Sequence, residues 1–236
     1  SFGLNKTWDK VLASKYDMIG SNFAGFKTMS DYIAIGDRID NGIFFESNKI
    51  DGLGGKFYFD HQFGEVAGES SGNTRTGVGA TFKVAGINGF VAYSEAKGST
   101  GSSDWDQYGF GLSYKTDNKI VIKAQYWDLS AESNADSTSG LGYSADGEGY
   151  SISVMGPIGK HTKVGLGFHS SEQSDNEAEK IEMTQLAMLH SFSKKVTGYV
   201  MVGNLDNGAS ANHELHKKGF SSQPANGGDQ DGFAVG

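Results

Sequence analysis

Cysteine is absent from the 236 residues, and proline occurs only twice. Without Cys the chain can have neither a disulfide framework nor a Cys-ligated zinc. No window approaches the ~18 consecutive apolar residues of a transmembrane helix. A membrane β-barrel stays open, because its strands alternate and its average is polar, as the mean hydropathy of −0.41 is here. Basic residues are few: Lys plus Arg is 20 against 28 for Asp plus Glu, and the net charge is −8. That balance argues against a nucleic-acid partner, which calls for a basic patch. There is no G-x-S-x-G run of a nucleophile elbow, and the histidines have no catalytic motif around them, so no enzyme is expected.

Glycine and aromatics are abundant: 35 Gly, 15 Phe, 10 Tyr and 3 Trp. Glycine is about twice its usual ~7% share, which argues against a helical bundle. The dominant pattern is period two. In Tyr108-Gly-Phe-Gly-Leu-Ser-Tyr114 the large side chains take every second position. Ile120, Ile122, Ala124 and Tyr126 do the same, as do Val78, Ala80, Phe82 and Val84, and Val164, Leu166 and Phe168. Phe57 and Phe59 alternate with Lys56, Tyr58 and Asp60. A sheet with one apolar and one polar face follows.

These signals predict about eleven strands, near 39–47, 53–62, 75–84, 87–96, 106–115, 119–129, 147–156, 161–171, 180–192, 195–205 and 230–236. Their connections alternate in length. Short turns are expected near Asp51-Gly52, Asn88-Gly89, Asp117-Asn118, Gly156–Gly159 and Ser193–Lys195, and long polar loops over 64–74, 97–105, 130–146, 172–179 and 206–229. Short turns on one rim and long loops on the other is the outer-membrane barrel arrangement. Phe63, Tyr93, Trp105, Tyr126, Trp127 and Phe192 stand near strand ends, where interfacial aromatic girdles form. Lys56, Asp60, Lys83, Lys123, Gln125, Lys163 and His169 fall on the face opposite the apolar set and are expected to line the lumen. On the lipid side each lysine would cost roughly 2–4 kcal/mol at the midplane.

Residues 1–38 break the pattern, with Thr7 as a helix cap before Trp8–Tyr16 and a Gly-, Ser- and Asn-rich stretch after it. His213 and His216 in the last long loop, and Asp229-Gln-Asp231, do not complete a metal or calcium pattern, so neither a metal nor a cofactor is expected.

Several runs are similar to those of the general porins of Gram-negative bacteria. Asp17-Met-Ile-Gly-Ser-Asn-Phe-Ala-Gly25 resembles D-M-L-P-E-F-G-G-D of the loop that folds into the barrel. Arg38-Ile-Asp-Asn-Gly-Ile-Phe-Phe-Glu-Ser47, with Ile50-Asp-Gly-Leu53 after it, resembles the strand that follows. His190-Ser-Phe-Ser-Lys-Lys-Val-Thr197 resembles the Y-x-L-S-K-R-T hairpin, and Gly232–Gly236 the start of the last strand. The resemblance implies an all-β transmembrane antiparallel barrel of about sixteen strands, of which about eleven are present. It implies a constriction loop over 1–38 and barrel strands over 39–236, with short periplasmic turns and long extracellular loops. The chain would then be a fragment running from inside that loop into the last strand.

The resemblance places Asp17, Asn22, Phe23, Arg38 and Glu46 at the pore constriction. Asn22 stands where enteric members often have a second acid, and Phe44 and Glu46 where some place an arginine. The implied function is an outer-membrane channel for passive diffusion of ions and small hydrophilic solutes. The implied partners are outer-membrane lipid and two further copies in a homotrimer. Two alternatives remain: a structural or adhesive barrel whose long loops bind a partner, and a soluble sandwich binding glycans through Trp105 and Trp127.

Overall fold

The computed structural model describes residues 5–18, 38–39, 41–64, 74–97, 104–131, 146–173, 176–211, 213–215 and 224–236. In chain order the elements are β1 (Asn5–Lys6), α1 (Trp8–Tyr16), β2 (Arg38–Ile39), β3 (Gly42–Glu46), β4 (Phe57–Gln62), β5 (Thr74–Val84), β6 (Ile87–Lys97), β7 (Trp105–Lys115), β8 (Val121–Ala131), β9 (Gly147–Pro157), β10 (Thr162–Gln173), β11 (Asn176–Ser191), β12 (Thr197–Asn207) and β13 (Gln230–Val235). Strands β3 to β13 form one 11-stranded sheet in which every strand pairs with its sequence neighbours. Strands β1 and β2 pair separately. All pairings are antiparallel, as hairpin connections require. Among the described residues the sheet is not closed: β3 and β13 are its edges.

The period-two pattern sorts the side chains as the sequence predicts. One face carries Val91, Tyr108, Phe110, Leu112, Ile152, Val154, Val200 and Val202, all exposed. Ile122 is 41% exposed and Leu166 50%. Phe82 is on this same outward face, its ring over the cross-strand Gly89. These apolar side chains are therefore not the core of a two-layer sandwich. At the long-loop end the outward face turns acidic. Glu95 pairs across the sheet with Asp106, and Asp128 with Glu148. The Tyr126 hydroxyl donates to Asp128 at 3.2 Å and to Glu148 at 2.5 Å. Tyr93, Tyr108, Phe110, Tyr126, Tyr150 and Phe168 form an outward aromatic row below these acids, with Phe110 and Tyr126 centroids 5.6 Å apart. That is the interfacial girdle of a membrane barrel.

Three expectations are corrected. Trp105 and Trp127 do not join the girdle, because both point to the other face and are buried. They share parity with Gln107 and Gln125, which puts them on the polar side. The turn after β5 is not Asn88-Gly89 but Ala85-Gly86, both at positive φ (49° and 82°) as a two-residue hairpin turn requires. Gly89 lies inside β6, where Phe82 covers it. The long loop expected over 172–179 is mostly strand: Gln173 still pairs with Asn176, so β10 and β11 run on past the rim.

Candidate functional site

The helix α1 begins where the sequence places it. Thr7 caps it, its hydroxyl accepting the Lys10 N–H at 3.3 Å. Asp9 in the first turn and Lys15 in the last complement the helix dipole. The Asp17 N–H closes the far end on the Ala13 carbonyl at 3.2 Å.

The helix lies flat on the inward face of β4–β8. Leu12, Ala13 and Tyr16 pack with Tyr58, Phe90, Ala92, Ala96, Trp105, Trp127 and Leu129. Tyr16 and Phe90 centroids are 4.7 Å apart, and those of Trp8 and Tyr58 are 4.6 Å apart. Glycines on this face make the approach possible. A Cβ at Gly79 would come within 2.9 Å of Leu12 Cδ1, and one at Gly111 within 3.1 Å of Tyr16. Burial pushes the Tyr16 phenol up to about 12, with Tyr58 adding to it, so the ring packs as a neutral group.

Beside this apolar contact is a buried polar knot. Arg75 donates to Asp9 through one guanidinium nitrogen and to Asp60 through the other. All three side chains are buried. Asp9 Oδ2 also accepts from Ser94 at 2.6 Å and Gln107 at 2.8 Å. Asp60 Oδ2 accepts the Trp8 N–H at 3.0 Å, while the Trp8 indole donates to the Phe59 carbonyl at 3.0 Å. A second tie holds the helix end. Lys123 Nζ donates to the Asp17 carbonyl at 2.7 Å, and Gln125 Nε2 to Asp17 Oδ1 at 3.0 Å. Gln125 is held in turn by the Trp127 indole at 3.1 Å.

All seven residues expected to line the lumen lie on this inward face, by strand parity. They do not share one environment. Asp60 and Gln125 are covered by the helix, and His169 is buried as well, so these do not border open space. For Asp60 and Gln125 the cause is the glycine floor, which lets α1 approach until it excludes water. Lys56 pairs with Glu46 at the short-turn end, and the hydrogen bond to Glu46 raises its pKa above the usual lysine range. Lys83 and Lys163 stand next to short turns on the same face, as does Lys115, with no ion pair among the described residues. Of the expected constriction set, Asp17 caps the end of α1 against Lys123 and Gln125 of β8, Glu46 belongs to β3 and Arg38 to the β1–β2 pair, while Asn22 and Phe23 lie outside the described residues. Sequence reasoning missed Asp9, Arg75, Ser94 and Gln107. The available signal was that Arg75 is one of only two arginines and shares a face with Asp60.

The family model for the Gram-negative porins matches residues 1–210. Among solved structures the chain is similar to an anion-selective porin from Comamonas acidovorans, with TM-score 0.76 and 18% identity, covering 99% of this chain and 71% of that one. It is also similar to OmpT of Vibrio cholerae, with TM-score 0.67 and 12% identity over 99% of this chain and 74% of that one. The trimer form of in-vitro folded OmpT from the same organism gives 0.64 and 15% over the same shares of 99% and 74%. At these identities the likeness is one of fold. No curated protein matches the chain.

Proposed function

The chain belongs to the Gram-negative porin family and is an outer-membrane protein, and from that premise we propose that it forms a water-filled channel for passive diffusion of small hydrophilic solutes, with a preference for anions. The observation that carries the channel reading is the sorting of the sheet. A continuous apolar face is exposed on one side, and the other bears Lys83, Lys115, Lys163 and the docked helix. In lipid the first face is solvated by acyl chains, and the second can only border water. Both sheet edges must be paired there, since no unpaired backbone group survives in hydrocarbon.

The anion preference follows from which inward charges are spent. Arg75 offsets one of the two charges of Asp9 and Asp60 and holds both carboxylates buried away from the bore, and Glu46 is paired with Lys56. The lysines near the short turns have no such carboxylate among the described residues, so their field favours anions in the bore. The overall −8 does not contradict this. Glu95, Asp106, Asp128 and Glu148 lie on the outward face at the loop rim, away from the bore. The family likeness and the trimeric OmpT form support a trimer as the working assembly.

The test is reconstitution in planar bilayers under a KCl gradient. Stepwise conductance with a reversal potential displaced toward that of chloride is expected. Absence of steps would refute the channel, and displacement toward potassium would refute the preference.

A further inference from the structure

The two rims of the wall differ in charge. At the long-loop end the outward face carries Glu95, Asp106, Asp128 and Glu148. At the opposite end the turns that join β9 to β10 and β11 to β12 carry cations alone. Residues 149–171 and 183–205 contain no Asp or Glu, in a chain of net charge −8, while their turns hold Lys160, Lys194 and Lys195. These three lysines are exposed and make no ion pair among the described residues.

The two turns are neighbours, because β10 pairs with β11. The Ser191 N–H donates to the His161 carbonyl at 2.8 Å and ties one to the other. Ser193 fixes the second turn: its hydroxyl accepts the Lys195 N–H at 3.2 Å and the Val196 N–H at 3.1 Å. Beside the lysines stand Ile158, Phe192 and Val196, 68%, 71% and 56% exposed. Phe192 lies on the outward face, over Gly198, where an added Cβ would come within 2.9 Å of its ring. His190 meets Phe192 edge-on at 4.8 Å, and its Nδ1 is 2.8 Å from Thr162 Oγ1. His190 and Thr162 share the outward parity of Met188 and Val164. A polar pair on the lipid side marks the level where hydrocarbon gives way to headgroups, since such groups are costly among acyl chains.

We infer that the β9–β10 and β11–β12 turns form a binding surface for an anionic phospholipid, in the leaflet that the short turns border. Lys160, Lys194 and Lys195 face its headgroup phosphate, and Ile158, Phe192 and Val196 cover the start of its acyl chains. A soluble acidic polymer would pair with the lysines and leave the three apolar side chains in water. A zwitterionic lipid would cover those side chains but brings its own ammonium against the lysines. An anionic phospholipid answers both. The inference rests on the placement of the sheet in a membrane and not on conduction.

Quenching by lipid of known headgroup tests it. The chain has no cysteine, so a single fluorophore can be placed at Val200→Cys, outward on β12 near the turn, or at Tyr108→Cys, below the acidic rim. The vesicles mix phosphatidylcholine with phosphatidylglycerol, and the same mole fraction is brominated on the chains of one lipid or the other. At Val200→Cys brominated phosphatidylglycerol should quench at least about twofold more than brominated phosphatidylcholine, as attraction of lysines to an anionic headgroup implies. The excess should vanish when Lys160→Gln, Lys194→Gln and Lys195→Gln are combined, and should shrink at high salt without any lysine change. At Tyr108→Cys no excess is expected. Equal quenching by the two lipids at Val200→Cys, or the same excess at both positions, would overturn the inference whether or not the channel conducts. An excess that survives the triple substitution would overturn the role of these lysines. Equal quenching together with lysine-dependent binding of soluble polyglutamate would assign the turns to an acidic polymer instead.

Discussion

Replacing Arg75 by alanine strands two carboxylates, Asp9 and Asp60, under the helix with no cation between them. Breaking one side of a buried ion pair costs about 3–5 kcal/mol, because the remaining charge stays desolvated. At 1.4 kcal/mol per factor of ten, that shifts the balance between docked and released α1 by roughly 100-fold to several thousand-fold. The Ser94 and Gln107 bonds to Asp9 remain and absorb part of the loss, so the lower figure is the one expected. Ala13, fully buried on the wall-facing side of the helix, supplies the reporter. In an Ala13→Cys background a water-soluble thiol reagent should react slowly. Adding Arg75→Ala should speed the reaction by about two orders of magnitude, in proportion to the released population. Single-channel records of Arg75→Ala should show greater open-channel noise and larger steps. Removing all three charges together, as Asp9→Asn, Asp60→Asn and Arg75→Met, should restore much of the protection, since a neutral set leaves no stranded charge. An unchanged labelling rate and quiet wild-type conductance in Arg75→Ala would refute the idea that this knot holds the helix.

Other expectations can be checked in the same system. Gly79→Val places atoms where Leu12 Cδ1 already stands, 2.9 Å from the added Cβ, and should raise Ala13→Cys labelling without touching any charge. Ile152→Lys, on the lipid face, should lower the stability of the folded barrel in vesicles by about 2–4 kcal/mol, read from its urea midpoint, whereas inward Lys83→Met should leave it nearly unchanged. Lys83→Glu combined with Lys163→Glu should move the reversal potential toward that of potassium; a value equal to wild type would remove these lysines from selectivity.

The strands and helix were legible because each is written locally. Tyr108–Tyr114 alternates strictly, and Thr7 before Trp8 announces the helix start. The turn at Ala85-Gly86 was hidden by the more conventional Asn88-Gly89, whose glycine serves a cross-strand aromatic instead. The tryptophans were misassigned because end-of-strand position was weighed above parity, and parity was the sounder guide. The knot around Asp9 was not legible. Its partners Arg75, Ser94 and Gln107 are 66, 85 and 98 residues away, and only the register of β5, β6 and β7 and the docking of α1 on them bring the four together. The packing of Ala211 and Leu215 against β11 left one faint trace: β11 is apolar at Ile181, Met183 and Ala187 as well as at Leu186 and Met188, so both faces needed covering.

Labelling single cysteines along β10 in lipid vesicles probes the sidedness of the wall most directly. With a fluorophore at positions 163 to 168, brominated lipid should quench at Val164, Leu166 and Phe168. A water-soluble quencher, not the lipid, should reach Lys163, and neither probe should put Gly165 or Gly167 in contact with acyl chains. Lipid quenching without alternation, or strongest at the odd positions, would contradict the account.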